Sequence, residues 1–265
     1  MRLLYSVAAH PTGPMSEEQL SQEQLSELYR HPLPTGRSAW LRTNFVTSLD
    51  GSIQGPDGRS GSINTVSDQH VFALHRAHAD AVVVGAETAR AEGYRAVDLA
   101  PWQRELRRQE GLSGFPVLAV VTRSMNVDPG VVANGTLEVG PVLVLTTAGK
   151  TQAQLAPFAD AGVEVLQLPG EQGVDLRSAV DGLAERGYRR LLCEGGSRLH
   201  RDLLADDLVD EMSLTLAPVA VGGEGRRTTV GDALPDPPAF HLGSALLGDD
   251  GAVFVNYVRD GREPG

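Results

Sequence analysis

The sequence predicts an α/β fold in one domain, with a central, mostly parallel mixed sheet flanked by helices and an antiparallel strand near its C-terminal end. Three observations carry this. Residues 81–84, 115–122 and 141–147 are continuous apolar runs without alternation, the signature of strands covered on both faces. Helical patterns alternate with them, and strand–helix alternation favours parallel pairing through crossovers. Residues 209–216 and 252–259 instead alternate apolar and polar side chains, as half-exposed antiparallel strands do.

In chain order, residues 1–38 read as an N-terminal extension lying on the core, and 39–262 as the domain. The extension is polar and Pro-rich. Its one helical stretch, SEEQLSQEQLSELY, offers Ser16 or Ser21 as cap, each with a Glu nearby. Residues 40–49, WLRTNFVTSL, are rich in β formers and predict a strand ending at the Asp50-Gly51 turn. The loop SIQGPDGRSGSIN is exposed by composition. Ser67-Asp68 caps a helix through His78, with Val71, Phe72, Leu74 and His75 on its apolar side. Gly85 ends the run at 81–84, and Glu87-Thr88 opens another helical turn. Residues 93–114 are charged and irregular. A helix (151–160), a strand (163–168) and a helix (176–186) follow the strand at 141–147. The strand at 252–259 closes the sheet at its edge.

At 265 residues with a 41% hydrophobic fraction, the chain buries a full core unaided. A net charge of −11 argues against nucleic acid or an anionic membrane as partner, so an anionic ligand needs a local basic pocket. Cys193 is the only cysteine, which excludes an internal disulfide and any multi-Cys metal site. Its place at the end of an apolar run makes it a buried, inert thiol. His70, His75 and His78 share one helix, but none has the i, i+4 spacing with an adjoining Glu that zinc asks for, so no metal is expected. The N-terminal apolar run is too short for a signal peptide, and no stretch has the length of a membrane span. A cytoplasmic protein is expected.

The stretch RRLLCEGGSRLHRDLL, residues 189–204, organises the rest. A short apolar run leads into Glu194-Gly195-Gly196-Ser197 and then a helical pattern through Leu199, Leu203 and Leu204. Two residues without Cβ let a pyrophosphate lie on the backbone, and the first N–H groups of the helix favour an anion. The same turn also serves as an ordinary strand–helix loop. Two further strand ends carry chemistry: Val84-Gly85-Ala86-Glu87-Thr88 and Thr122-Arg123-Ser124. Arg123 with two hydroxyls suits a phosphate monoester, or is a solvated surface arginine. Together the three loops suit a phosphorylated dinucleotide at the carboxyl ends of the strands. The G-x-G-x-x-G fingerprint and the G-x-x-x-x-G-K-[ST] loop are both missing. Asp50, at a strand end beside a Gly-rich loop, is placed to orient water or supply a proton to a reacting nitrogen, or is a plain turn acceptor.

NFVTSLDGSI, HRAHADAVVVGAETARAE, VVTRS, CEGGSRL and VDEMSLTLAPVAVGG, in that order, resemble the riboflavin-pathway pyrimidine reductases, the reductase half of the bifunctional deaminase/reductase, which share the dihydrofolate reductase fold. The resemblance runs from about Trp40 to the C-terminus. It implies NADPH, hydride transfer to a C=N group of a ribosylamino-pyrimidine phosphate giving the ribitylamino product, and a homodimer. By motif, Val46 lines the nicotinamide. Ser62, Gly85, Thr88 and Glu92 contact the cofactor, Glu92 standing in place of a family Asp. Thr122, Arg123 and Ser124 sit near the adenosine 2′-phosphate. Gly195, Gly196, Ser197, Arg198 and Leu199 wrap the pyrophosphate. Ser60, Arg76 and Glu194 face the substrate, Arg76 gripping its phosphate. Asp50 is the first choice for the catalytic carboxylate and Glu194 the second.

The chain departs from the family's V-G-x-x-T-x-x-x-D-x-P-x-L-x-x-R: it reads VGAETARAEGYRAVDL, so the distal Arg is absent unless Arg95 replaces it. Ser62 stands where a Trp is common. The H-x-E and P-C-x-x-C of a zinc deaminase are missing as well. A pterin reductase of dihydrofolate type, and a non-catalytic NADPH-binding protein, are the alternatives.

Overall fold

The computed structural model describes residues 1–6, 19–34, 36–133 and 139–262. Ser16 lies outside them. The sheet is wound outward and then inward. Strands β1 (Arg2–Ser6), β2 (Trp40–Thr47), β3 (Ala81–Gly85), β4 (Val117–Val121), β5 (Val142–Thr147), β6 (Glu164–Leu168), β7 (Arg190–Cys193), β8 (Glu211–Leu216), β9 (Phe240–Leu247) and β10 (Val253–Arg259) form one ten-stranded sheet among the described residues. Its order is β1-β9-β10-β8-β2-β7-β3-β4-β5-β6. The chain runs outward from β3 to β6, returns to insert β7 between β2 and β3, and then places β8 beyond β2.

From β8 to β6 every pairing is parallel. The β10–β8, β10–β9 and β1–β9 pairings are antiparallel. The mixed sheet is therefore as the sequence predicts, with two corrections. β10 lies between β8 and β9, not at the edge, because β9 and β1 extend the sheet beyond it. β8 is antiparallel only to β10. Its other neighbour, β2, runs parallel to it.

Period-2 alternation splits the buried strands between two cores. Ala81 and Val83 of β3 face one side, Val82 and Val84 the other. The first core packs on α7 (Leu176–Glu185) and α8 (Ser197–Ala205), and includes the fully buried Cys193, whose thiol burial pushes up to about 12. The second packs on α3 (Ala86–Glu92), α5 (Pro129–Val132) and α6 (Gln152–Asp160). A third joins α1 (Gln22–Tyr29) and α2 (Val66–His78) to Leu246 and Phe254.

The helices start where side chains satisfy their free N–H groups. Ser21 and Gln24 form a capping box on α1. Thr65, not Ser67-Asp68, caps α2: its Oγ1 accepts the Asp68 N–H at 3.1 Å. The Ser67 N–H instead donates to Asp250 at 2.8 Å. The stretch read as irregular contains α4 (Pro101–Gln109), with Pro at its first position. Arg107 of α4 is fully buried. Its guanidinium donates to the Ala77 and Ala79 carbonyls and, through Nε at 2.7 Å, to the Ser113 carbonyl. That cation at the carboxyl end of α2 suits the helix dipole and fixes the helix that carries half of the site described next.

Candidate active site

β7, β3 and β4 are neighbours in the sheet, so the loops that follow them meet at one edge. The Gly85 N–H donates to the Gly195 carbonyl at 2.8 Å, and the Glu194 N–H to the Val83 carbonyl at 3.0 Å, which ties the β3 and β7 tips together. Beside this junction opens a cleft of about 530 Å³, the size of a small-molecule site. Asp68, Phe72 and Arg76 line it from α2, spaced i, i+4, i+8 on one helix face. Asn44, Phe45 and Val46 line it from the end of β2, and Ser60, Glu92 and Tyr94 from the opposite side, Glu92 at the end of α3.

Glu194 is the electrostatic centre. Arg76 clasps it through Nε and Nη2 at 2.8 and 2.7 Å, and the Tyr94 hydroxyl donates to it at 2.7 Å. The Glu194 side chain is 2% exposed and that of Arg76 22%. Burial works against the Arg76 charge, but the adjoining carboxylate overrides it and raises the pKa of the guanidinium. Burial, reinforced by Glu194, holds the Tyr94 phenol well above its usual range, so it keeps its proton. The Arg76 guanidinium lies 4.3 Å from the Phe72 ring centroid, a cation–π contact. The clasp engages Arg76 through Nε and Nη2, so Glu194 matches the charge it would otherwise offer a phosphate. Arg95, exposed on the cleft lining, makes no ion pair among the described residues.

A smaller hollow of about 100 Å³ adjoins the cleft and shares Glu87, Thr88, Gly196, Ser197 and Arg226 with it. Gly196 caps α8 without a side-chain bond, which leaves the first N–H groups of that helix free for an anion. A Cβ on Gly196 would stand 2.3 Å from Thr88 Oγ1, so only Gly fits this floor. Glu87 sits between Arg198 at 3.4 Å and Arg226 at 3.2 Å, two cations against one anion in a chain that is acidic overall. The donor set fits a dinucleotide pyrophosphate. Gly85, Thr88, Gly196, Ser197, Arg198 and Leu199 all line this hollow.

Other expected residues fall elsewhere. Asp50 is outside the cleft lining. Its carboxylate accepts the Ser48 hydroxyl and the N–H groups of Val221 and Gly222, the last at 2.6 Å, and these bonds pull its pKa down to about 2. A carboxylate so held is a loop brace and a poor proton donor, because its geometry belongs to an Asp-Gly turn. Ser62 also lies outside, its hydroxyl donating to Asp57 at 2.6 Å. Ser60 and Glu92 line the cleft and meet each other, the Ser60 N–H donating to Glu92 at 3.0 Å. Gly195 takes the Phe45 ring against its open side, where a Cβ would stand 3.2 Å away. Thr122, Arg123 and Ser124 follow β4 on the same sheet edge but line neither hollow. Arg123 donates to the Gln172 carbonyl at 2.9 Å, and Lys150 Nζ donates to the Arg123 carbonyl at 2.8 Å.

Sequence reasoning missed Tyr94, Asn44 and Asp68 as site residues. Asp68 and Phe72 were legible as the same helix stripe as Arg76. Asn44 carried the weaker signal of a polar residue in a strand of β formers.

A family model described as the RibD C-terminal domain matches residues 39–253, from the start of β2 to the start of β10. A 2,5-diamino-6-ribosylamino-4(3H)-pyrimidinone 5′-phosphate reductase from Archaeoglobus fulgidus is 28% identical over 189 residues, 71% of this chain and 84% of the relative. A reductase of the same name from Methanothermobacter thermautotrophicus is 29% identical over 228 residues, 82% of this chain and 97% of the relative. Among solved structures, a pyrimidine reductase-like protein from Corynebacterium diphtheriae aligns with a TM-score of 0.70 and 29% identity, covering 83% of this chain and 92% of that one. The matched span contains every strand that builds the cleft, and the chain belongs to the RibD C-terminal domain family.

Proposed function

We propose that the chain is an NADPH-dependent reductase that converts the ribosylamino arm of a pyrimidine 5′-phosphate into a ribitylamino arm. The observation that carries this reading is the continuity of two hollows through Thr88, Gly196 and Ser197, one floored by the free N–H groups that open α8 and one lined by Phe45, Phe72, Arg76 and Glu194. The names of the relatives supply the substrate class.

When bound, NADPH supplies the hydride. The residues of the chain hold and orient. The N–H groups that open α8 anchor the diphosphate, and Val46 with Phe45 forms the wall along which the reacting ring lies. Arg76 fixes Glu194, and Glu194 takes over from Asp50 as the carboxylate that faces the reacting nitrogen. The neutral Tyr94 phenol beside it keeps a proton inside the cleft. Arg95, at the exposed side, receives the 5′-phosphate in place of the paired Arg76. Arg123 and Ser124, one strand further along, are assigned to the adenosine 2′-phosphate in this reading.

A homodimer in the cytoplasm belongs to the same reading. Leu49, Leu216 and Val219 are exposed and adjoin where β2 and β8 end, the Leu49 N–H donating to the Val219 carbonyl at 2.8 Å. Such a patch favours self-association. The test is NADPH oxidation by the full chain with the ribosylamino-pyrimidine phosphate, with light scattering for the dimer. Oxidation that requires the pyrimidine supports the reading. Tight NADPH binding with no oxidation supports a non-catalytic protein.

A further inference from the structure

α2 has two working faces. Asp68, Phe72 and Arg76 line the cleft from one of them. A step of two residues turns an α-helix by about 200°, so His70, Leu74 and His78 lie on the opposite side. Residues 19–31 pack on that side, and they lie outside the span that the family model matches. His70 Nε2 stands 2.9 Å from Gln22 Oε1, and His78 Nε2 3.2 Å from Ser26 Oγ. Leu25 is buried with Val71 and Leu74, and the Tyr29 ring meets the His75 ring edge-on, their centroids 5.0 Å apart.

A buried cation locks the two together. Arg42 of β2 is 2% exposed. Its guanidinium donates to the Tyr29 carbonyl at 2.8 Å and to the Arg30 carbonyl at 3.1 Å, free carbonyls at the end of α1 that favour a cation. The same Nη1 lies 3.2 Å from His75 Nδ1. Burial, with the Arg42 charge beside it, holds the His75 pKa well below its usual range, so the ring is neutral. With Nδ1 accepting from Arg42, His75 Nε2–H donates to Ser213 Oγ at 2.9 Å. Glu211 Oε2, 2.9 Å from Arg42 Nε, balances the charge. A second bridge runs at the end of α2, where Glu110 stands 2.9 Å from His78 and 3.2 Å from Arg30. His75 is thus held from β2, β8 and α1 at once, and the next residue is Arg76, which clasps Glu194.

We propose that residues 19–31 are a positioning segment for the reduction: docked through Tyr29 and Arg42, they hold α2 at the depth at which Arg76 meets Glu194, and so set the substrate wall of the cleft from the far side of the helix. Tyr29 and Arg42 line neither hollow and act only through α2, as positioning residues. The cofactor cradle is built from the tips of β3 and β7 and the start of α8, so a displaced α2 alters the substrate end and spares the cradle. A misplacement of about 1 Å at a reacting centre costs about 10²-fold in rate. The effect on rate rests on the reductase reading. The hold on α2 does not.

The test compares the full native chain with Tyr29→Ala and Tyr29→Phe. The Tyr29 hydroxyl is buried without a partner among the described residues, so Tyr29→Phe keeps the ring against His75 and is expected to match the native chain. Single-turnover oxidation of bound NADPH by the ribosylamino-pyrimidine phosphate is followed together with the stoichiometry of NADPH binding. In Tyr29→Ala the rate constant per bound NADPH is expected to fall about tenfold or more, with NADPH affinity within about twofold of native. A role in stability alone lowers the stoichiometry and leaves that rate constant unchanged, a result that overturns the proposal. A defect in Tyr29→Phe as large as that in Tyr29→Ala overturns it as well. In a Glu194→Gln background the Tyr29→Ala effect is expected to shrink, because both changes act on one clasp, and strict additivity contradicts that route. Hydrogen exchange needs no substrate and separates the proposal from the reductase reading. Tyr29→Ala is expected to speed exchange in 66–78 and 194–197 and to leave 142–147 unchanged. That pattern in a chain that oxidises no NADPH supports the hold on α2 while the reductase reading fails. Unchanged exchange in 66–78, or a uniform rise across all three segments, overturns the proposal. Where Tyr29→Ala does not fold, Tyr29→Leu, which keeps apolar bulk and loses the edge contact with His75, takes its place with the same expectations.

Discussion

Arg76 and Glu194 form a two-point clasp, 2.8 and 2.7 Å, between the last turn of α2 and the loop after β7. The clasp joins an element of one sheet face to the tip of a central strand, and it holds Glu194 facing the cleft with one orientation. Glu194→Gln keeps the shape but removes the charge. Turnover of the pyrimidine is expected to fall by about 10²-fold, with cofactor affinity unchanged, because only the substrate end of the cleft is altered. Steady-state kinetics beside an NADPH titration checks this. A parallel loss of both would place Glu194 in the cofactor site.

Gly196→Ala tests the cradle. Its Cβ would meet Thr88 Oγ1 at 2.3 Å, so either the Thr88 side chain or the α8 start must shift. NADPH affinity is expected to fall about tenfold or more, and Thr88→Ala in the same chain to recover part of it. Coupling between two residues in contact is what a double-mutant cycle measures. Strict additivity would show that the two positions do not share the cradle.

Asp50→Asn is expected to leave turnover nearly intact, since Asp50 braces the Val221–Gly222 turn outside the cleft. Its pKa lies near 2, below the ordinary 3.8, chiefly because the Ser48 hydroxyl donates to the carboxylate, with the two loop N–H groups adding to it. The native state therefore binds its proton less readily than the unfolded chain. The stability it gives is present above about pH 4 and is lost as pH falls toward 2. Acid-unfolding profiles of the native chain and Asp50→Asn should differ above pH 4 and converge below 2. A large kinetic defect in the variant would return Asp50 to the mechanism.

His200 titrates with the opposite chemistry and the same sense. Burial lowers its pKa from 6.5 to about 4, partly offset by its Nδ1–H donating to the Thr228 carbonyl at 2.9 Å, and its ring packs 4.7 Å from that of Phe45. Between pH 6.5 and 4 the unfolded chain binds a proton that the folded chain refuses, so stability falls as pH drops through that window. His200→Gln is expected to flatten this slope. An unchanged slope in denaturant titrations across pH 4–6.5 would assign it to other groups.

The fold was legible where local pattern and tertiary role agree. The runs at 81–84, 115–122 and 141–147 lack alternation because β3, β4 and β5 are buried on both faces. β1 was not legible, because its partner β9 lies more than 200 residues away, Arg2 against Leu247. The charges of α4 concealed a helix whose Arg107 points inward. Glu194 and Gly196, singled out by strand–turn–helix grammar, both line the cleft. The Asp50 motif is also that of a turn, and its bonds to the Val221 and Gly222 N–H groups, set 171 and 172 residues away, were not legible. Tyr94 stood out as a departure from the family pattern, but its role depends on Glu194, 100 residues away.

The central claim is that one cleft brings a reduced nicotinamide against the ribosylamino carbon of a pyrimidine. Its most direct test is a single-turnover reaction with NADPH deuterated at the transferable position, followed by mass spectrometry of the product. The account predicts one deuterium on the ribityl arm, with little transfer in Glu194→Gln. Oxidised cofactor with no deuterium in the product, or a deuterated product formed equally fast by Glu194→Gln and Gly196→Ala, would contradict it.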